Sequence, residues 1–427
     1  MKDTIIKLFN LEPRDIEQID ICSESYTVFV FITLRKQLQR CPKCGCSTKR
    51  IHDYRRRTLE HGVINDAFTT IVYKQRRYYC TECGHSFPEA NPFAQPKKRL
   101  SKYLILRIMK MLKNPRVTYS QVAESVDVST STVLRVFDKY AGITPISLPV
   151  CLCIDEVYAV KRRQQVYACV LVDMQTSQVF DLLPNRFKSD ISEYFSRISI
   201  DERKLVKYIC MDMYDVYREV AKVYFPNAKI CVDSFHVIQL INRTLTNVRI
   251  RIMNSYKRDS DEYKLLKKFH WILTKNSSKI EWDKVIDLHR YSALLETRYP
   301  TPRRILNRML DLNVELSIAY ELKEEYLFIN SRTSSFDAAE RYDNFLEEIA
   351  IFEIEELNAL LKTMKKWRNE IINSFDYYEG KRISNGPIES VNSRIKLIKR
   401  NGNGYRDFER FKRRTLYSLN KDSSILV

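Results

Sequence analysis

Val150-Cys-Leu-Cys-Ile-Asp-Glu156 decides how the middle of this chain reads. Its apolar run lacks polar alternation, which marks a strand buried on both faces, and it ends on two carboxylates. Gln165 to Val172 and Gln178 to Leu183 read as two further strands, with Asp173 to Ser177 as the hairpin between them. Ile191 to Ile198 is a short helix. Leu205-Val-Lys-Tyr-Ile-Cys-Met211 is a fourth strand ending at Asp212, followed by a helix through Val223. Lys229-Ile-Cys-Val232 is a fifth strand and ends at Asp233. The order is β-β-β-α-β-α-β.

That order is the ribonuclease H-like plan, in which carboxylates emerge at strand ends, where α/β sites sit. From Val237 to about Phe375 the pattern turns helical and amphipathic and carries Trp271, Trp282 and Trp367, read as packing between helices rather than as contacts to an exposed base. The helical run stops at Gly380, and Ser384-Asn-Gly-Pro-Ile-Glu-Ser-Val-Asn392 opens a last helix. Asn385 and Gly386 set the turn into it, Glu389 lies in its first turn, and Asn392 follows one turn later on nearly the same face. Asp155, Asp212 and Glu389 are the expected catalytic carboxylates. Brought together without cations they would repel one another, and hard oxygen ligands select Mg²⁺ or Mn²⁺. Two such ions per site, about 3.5–4 Å apart, activate a water or a 3′-hydroxyl and stabilise the leaving oxygen at phosphorus. Asp233 is a rival for the second position; its fourth-strand placement favours Asp212. Glu156, Asp173 and Asp215 read as caps or surface charges.

Outward from this core, Tyr26 to Leu34, Phe68 to Tyr73 and Gln75 to Tyr79 alternate as strands. Cys41-Pro-Lys-Cys44 and Cys80-Thr-Glu-Cys83, each followed by glycine (Gly45, Gly84), are paired knuckles. A tight CxxC turn points two thiolates at one ion, so Cys41, Cys44, Cys80 and Cys83 are expected to hold one structural Zn²⁺, with Cys46 and His85 as bystanders. Ser101 to Leu112 is helical, and Thr118 to Tyr140 has helix-turn-helix spacing: small Ala123, Val128 in the turn, Ser129 as N-cap, and Val133 and Val136 inward. Ser131, Thr132 and Arg135 would then face a major groove. Arg55, Arg56, Arg57, Arg76 and Arg77, interleaved with tyrosines, suit phosphate contact, as do Lys396 and Arg400 beyond the last helix start.

The charge pattern agrees. Of the net +19, residues 1–150 hold +11 (25 basic, 14 acidic) and residues 390–414 hold +7 (nine basic, two acidic), so the rest is nearly neutral. A chain basic at both ends around a neutral middle suits a polyanion partner. Its apolar stretches are strand-sized, far short of the ~18 residues of a membrane span, and the start has no secretory pattern. The eleven cysteines therefore read as thiols and metal ligands of a cytoplasmic protein.

Taken together, the two knuckles, the helix-turn-helix, Ile154-Asp-Glu156, Met211-Asp-Met-Tyr214, Val232-Asp-Ser-Phe-His-Val237, Ser384 to Asn392 and the tail Lys399 to Phe408 resemble the bacterial insertion-sequence transposases of the ISL-three family, over nearly the whole chain. The resemblance implies a multidomain α+β DDE transposase. Its parts would be a zinc-binding β-rich domain (1–95), a helix-turn-helix domain (96–147), the first part of a ribonuclease H-like core (148–237), an all-helical insertion (238–380), and a closing helix with basic tail (381–427). It makes Asp155, Asp212 and Glu389 the DDE residues and Mg-binding set. It implies double-stranded DNA as partner, both transposon ends and target, bound by a homodimer or higher assembly at the nucleoid. Asp233-Ser-Phe-His236 resembles the (C/D)xxH element of related lineages, with His236 touching DNA or steadying the site. Ser390 departs from the family's glycine and reads as drift. Two alternatives are a DNA-binding regulator whose core has lost catalysis, which leaves Glu389 unexplained, and a nuclease or resolvase that cuts without joining.

Overall fold

Alternating Ile, Val and Tyr build the first sheet. Strands β1 (Ile16–Glu24), β2 (Thr27–Leu34), β3 (Ile51–Ile64) and β4 (Ala67–Tyr79) lie in the order β1-β2-β4-β3, and β5 (Ser86–Pro88) pairs with β4. One face carries Ile19, Val30, Ile32, Leu59, Ile71 and Tyr73 into a core closed by Phe93. The computed structural model describes residues 12–64, 66–162, 165–402 and 404–426. Phe68–Tyr73 and Gln75–Tyr79, expected as two strands, form the single strand β4; β1 and β3 are additions.

Three helices follow: α1 (Lys102–Leu112), α2 (Tyr119–Ser125) and α3 (Thr130–Tyr140). Each has a hydroxyl N-cap, Ser101, Thr118 and Ser129 respectively, and Thr118 forms a reciprocal capping box with Gln121. Leu104, Ile108, Val122, Ala123, Val133 and Phe137 fill the space between them. The core of this helical cluster also takes Tyr417 from α16 (Phe408–Leu419), and Ser424–Ile425 pairs with Ala141–Gly142. Residues 394–427 thus group with residues 1–145 in one compact unit. The closing segment 381–427, expected to belong wholly with the core, therefore divides after Ser393.

The second unit, Ile146–Tyr158 and Arg163–Ser393, holds the other large sheet. Its strands are β6 (Cys151–Arg162), β7 (Gln165–Asp173), β8 (Val179–Leu183), β9 (Tyr208–Met211) and β10 (Lys229–Val232), in the order β8-β7-β6-β9-β10. β9 runs parallel to both β6 and β10, and Ile154, Met211 and Val232 stand in one row across the three strands. Helices α4 (Lys188–Ser196), α5 (Ile200–Lys204) and α6 (Asp215–Tyr224) connect the strands. Beyond β10 come α7 (Ser234–Ser255), α8 (Asp261–Lys268), α9 (His270–Thr274), α10 (Pro302–Asp311), α11 (Val314–Arg332), α12 (Ala338–Ile351), α13 (Glu355–Lys366) and α14 (Arg368–Asn373), before α15 (Gly386–Asn401). Trp367 is buried there, Trp282 is partly buried and donates its indole N–H to the Ser277 carbonyl, and Trp271 is at the edge of exposure. No described helix is long and apolar enough to cross a membrane.

Candidate active site and metal centre

The row Ile154–Met211–Val232 sets Asp155, Asp212 and Asp233 side by side in the next row; Asp212 and Asp233 stand just past the ends of β9 and β10, whereas Asp155 lies inside β6, which was expected to stop at Ile154 and instead runs on to Arg162. Asp155 is half-buried. Its Oδ1 accepts the backbone N–H of Glu156 at 2.7 Å, and its Oδ2 accepts Asn392 Nδ2 at 2.7 Å. Burial first, and then the neighbouring Asp212 carboxylate, push Asp155 up to about 6. Burial also raises Asp212, against the opposing pull of His236, with Glu156 and Asp233 adding to the rise. His236 Nε2 lies 3.3 Å from Asp212 Oδ1, yet that oxygen is buried and has no aligned hydrogen bond.

Asp233 differs. It is 3% exposed, and its Oδ1 accepts the backbone N–H of Asn385 at 3.1 Å. Its carboxylate is spent on holding the turn into α15. From that helix Asn392 reaches Asp155, and Glu389 lies one turn earlier, exposed. The structure brings Asp155 and Asp212 together. Glu389 does not join them in any tight group of ligand atoms among the described residues, where the four knuckle cysteines form the one such group. Two neighbours were not anticipated. Glu156, expected at the surface, is partly buried and pairs with Arg186, whose guanidinium also covers the rings of Tyr167 at 5.1 Å and Tyr214 at 5.3 Å. Arg186 follows β8 with no local motif, so only the folded sheet reveals it.

The residues fit a divalent cation. Two carboxylates raised by burial and by neighbouring carboxylates, Asp155 by Asp212 and Asp212 by Glu156 and Asp233, with one buried oxygen lacking an aligned donor, form a site that positive charge would satisfy.

The knuckle cysteines meet as expected. Cys41 and Cys83 Sγ are 3.5 Å apart, as are Cys44 and Cys80 Sγ, and all four lie within 4.8 Å of one another. A tetrahedron with Zn–S of about 2.3 Å has sulfurs about 3.8 Å apart, so the set fits a structural Zn²⁺. Gly45 and Gly84 take φ of +76° and +68°, and their N–H groups turn back to the carbonyls of Cys41 and Cys80. Although burial opposes it, the backbone N–H groups of Cys44 and Lys43 lower Cys41 to about 7, favouring thiolate. Cys46 and His85 stand outside the four-thiol group; their carbonyls accept the N–H groups of Cys41 and Cys80, and their own backbone also bonds the Cys44 and Cys83 thiols.

The expected DNA contacts fall into two groups. Arg55, Arg56, Ser131, Arg135, Lys396 and Arg400 are exposed, and Arg57 and Thr132 partly so. Arg77 is tied to Asp53 at 2.9 Å. Arg76 is a correction: it is 2% exposed, and its guanidinium is engaged by Glu17 and Glu89, so it holds β4 to its neighbours instead of facing a phosphate. The basic tail is likewise partly internal. Arg410 donates two hydrogen bonds to Asp138 at 2.7 and 3.1 Å, and buried Arg414 donates to the Asn114 and Val117 carbonyls.

A family model for ISL3 transposases, described as "Transposase", matches residues 152–415. A second, described as "zinc-finger of transposase IS204/IS1001/IS1096/IS1165", matches residues 37–83, which include all four knuckle cysteines. The transposase for insertion sequence element IS1001 of Bordetella parapertussis is 22% identical over 391 residues, 90% of either chain. An ATP-dependent protease of Lactococcus lactis subsp. lactis is 29% identical over 116 residues, 27% of this chain and 34% of that protein.

Proposed function

Since the chain belongs to the ISL3 family of insertion-sequence transposases, with a zinc ribbon, we propose that it is a DDE transposase that binds the terminal inverted repeats of its element and catalyses Mg²⁺-dependent cleavage and strand transfer. The observation that carries this is the row of carboxylates across one sheet, with Asp155 and Asp212 on neighbouring parallel strands and both proton affinities raised.

In this reading the sheet is a ribonuclease H-like core and α7 to α14 are an insertion before α15. Asp155, Asp212 and Glu389 would hold two Mg²⁺ or Mn²⁺ ions. Bound there, the ions supply Lewis-acid activation of the attacking hydroxyl and charge relief at the leaving oxygen. The protein's own part is positional. Asn392 and the Glu156 N–H fix both oxygens of Asp155, so the carboxylate does not rotate away. Asp233, through Asn385, sets the start of α15 and hence the level of Glu389 on it. His236 beside Asp212 steadies that carboxylate. The fourth-strand assignment gains support because Asp233 is already committed to the turn. Arg55, Arg56, Arg57, Ser131, Thr132, Arg135, Lys396 and Arg400 remain the proposed DNA contacts, in an assembly of two or more chains on DNA in the bacterial cytoplasm.

The test is a strand-transfer reaction with end-labelled 3′-hydroxyl substrates in Mg²⁺. Joined product that disappears in Asp155→Asn supports the reading. Cleavage without joining would mean a nuclease or resolvase, and end binding without either would mean a regulator.

A further inference from the structure

The strap from Gln95 to Leu100 joins the first sheet to α1 and runs beside α3. Its backbone is already committed: the Glu60 N–H donates to the Arg99 carbonyl and the Ser101 N–H to the Glu60 carbonyl, each at 2.9 Å. Lys139 Nζ and Tyr140 Oη both donate to Gln95 Oε1 at 3.0 Å, tying the strap to the end of α3. Within it Lys97 holds φ at +62°, a conformation that L side chains seldom take, so the surrounding bonds impose the turn.

Between strap and helix lies a cleft of about 490 Å³ whose walls carry Lys97, Lys98, Arg99, Arg135 and Lys139. All five are exposed, and Glu60 is the sole acidic residue on the walls. Among the described residues none of the five forms an ion pair. Some other cations of the same unit are matched within the fold, Arg76 with Glu17 and Glu89, Arg77 with Asp53, and Arg410 with Asp138, so the cleft's five are among those left for a partner. Five unmatched positive charges around one cleft repel each other, and that cost is relieved by an anion seated between them. The spacing suits a chain of anions better than a single one. From Arg135 to Lys139 the helix advances about 6 Å, so the two side chains can reach separate phosphates of one strand.

We propose that this cleft seats the sugar–phosphate backbone of one strand of duplex DNA, with Lys97, Lys98, Arg99 and Lys139 on phosphates beside the helix whose Ser131 and Thr132 start it. This rests on the DNA-binding reading above and adds to it a backbone clamp that joins the Lys97-Lys98-Arg99 run to Lys139 on α3. A clamp of this kind contributes affinity without sequence preference, and each phosphate contact contributes about 0.9 to the slope of log K against log salt.

The experiment titrates full-length protein with duplexes from the ends of its own element and with random duplexes, at several salt concentrations. The triple variant Lys97→Ala, Lys98→Ala, Arg99→Ala should lower the slope by about 2.7 and weaken both duplexes by the same factor. Lys139→Ala, on a different element, should lower it by about 0.9 and serves if the triple variant folds poorly. The charge-preserving set Lys97→Arg, Lys98→Arg, Arg99→Lys should leave the slope intact. An unchanged slope in both neutralised variants, with the ends still bound, would overturn the clamp while leaving the DNA-binding reading standing. A wild type that binds no DNA would overturn both, and that result comes before any variant is made.

Discussion

Asp155 and Asp233 follow Ile154 and Val232 in one row of the same sheet, yet their surroundings give them different work. Asp155 faces another carboxylate and is pushed up to about 6, whereas Asp233 is buried against a backbone N–H. On the proposed mechanism, in which each would hold a cation at the reacting phosphate, Asp155→Asn and Asp212→Asn should each reduce cleavage and joining by at least about 10³-fold. Asp233→Asn keeps an oxygen for the Asn385 N–H and should leave measurable activity; a dead Asp233→Asn beside an active Asp212→Asn would reverse the assignment. The pH dependence has a definite sign. A carboxyl raised from 3.8 to about 6 stabilises the fold when protonated, and that contribution is lost as pH rises through about 6. Metal-free Asp155→Asn should therefore be more stable than wild type at pH 7.5, by about 1–3 kcal/mol given partial screening, with the gain vanishing below about pH 4. Thermal unfolding in EDTA at the two pH values measures it. At limiting Mg²⁺, cleavage should fall as pH drops through about 6, since protonation competes with the cation. Asp212 and Asp233 were readable from strand ends, whereas Asp155 closes an apolar run inside a strand that continues to Arg162. Arg186 and the role of Asn385 were not readable, since each depends on partners far away along the chain, Glu156 and Asp233.

At the scale of elements, legibility followed regularity. β10 was read to the residue, and β7 and β8 nearly so, because short apolar runs between turn residues leave few alternatives. β1 and β3 were missed for a shared reason: register shifts at Ile16/Gln18, Ile51/Asp53 and Glu60/Gly62 break the period-two pattern, and the Arg55 to Arg57 run hides what remains. The knuckles were plain because geometry requires them. Cys41→Ser with Cys80→Ser takes one ligand from each knuckle, so bound zinc should fall from about one per chain to near zero, as metal analysis would show. Loss of protection from proteolysis around residues 37–88 should accompany it. Zinc retained by that double variant would disprove the four-thiolate centre.

For the molecule as a whole, net charge pointed to a polyanion but misjudged how the charges are used. Arg76, Arg410 and Arg414 count towards the excess and yet are consumed inside the fold. Composition cannot separate a cation that binds a partner from one that binds its own chain. Arg414→Ala tests the second kind: it strands the Asn114 and Val117 carbonyls and opens a buried space, so it should destabilise the first unit by about 2–4 kcal/mol. Thermal unfolding would register the change, and a loss confined to DNA affinity would count against it. The distance along the chain between those partners matters for another reason. Arg414 lies 300 residues after Asn114. At about 5–20 residues per second, a ribosome needs roughly 15–60 s to travel between them. Until it arrives, the helices at 102–140 wait without the helix that completes their core. A chain cut short before that helix would therefore leave the core of an early segment incomplete.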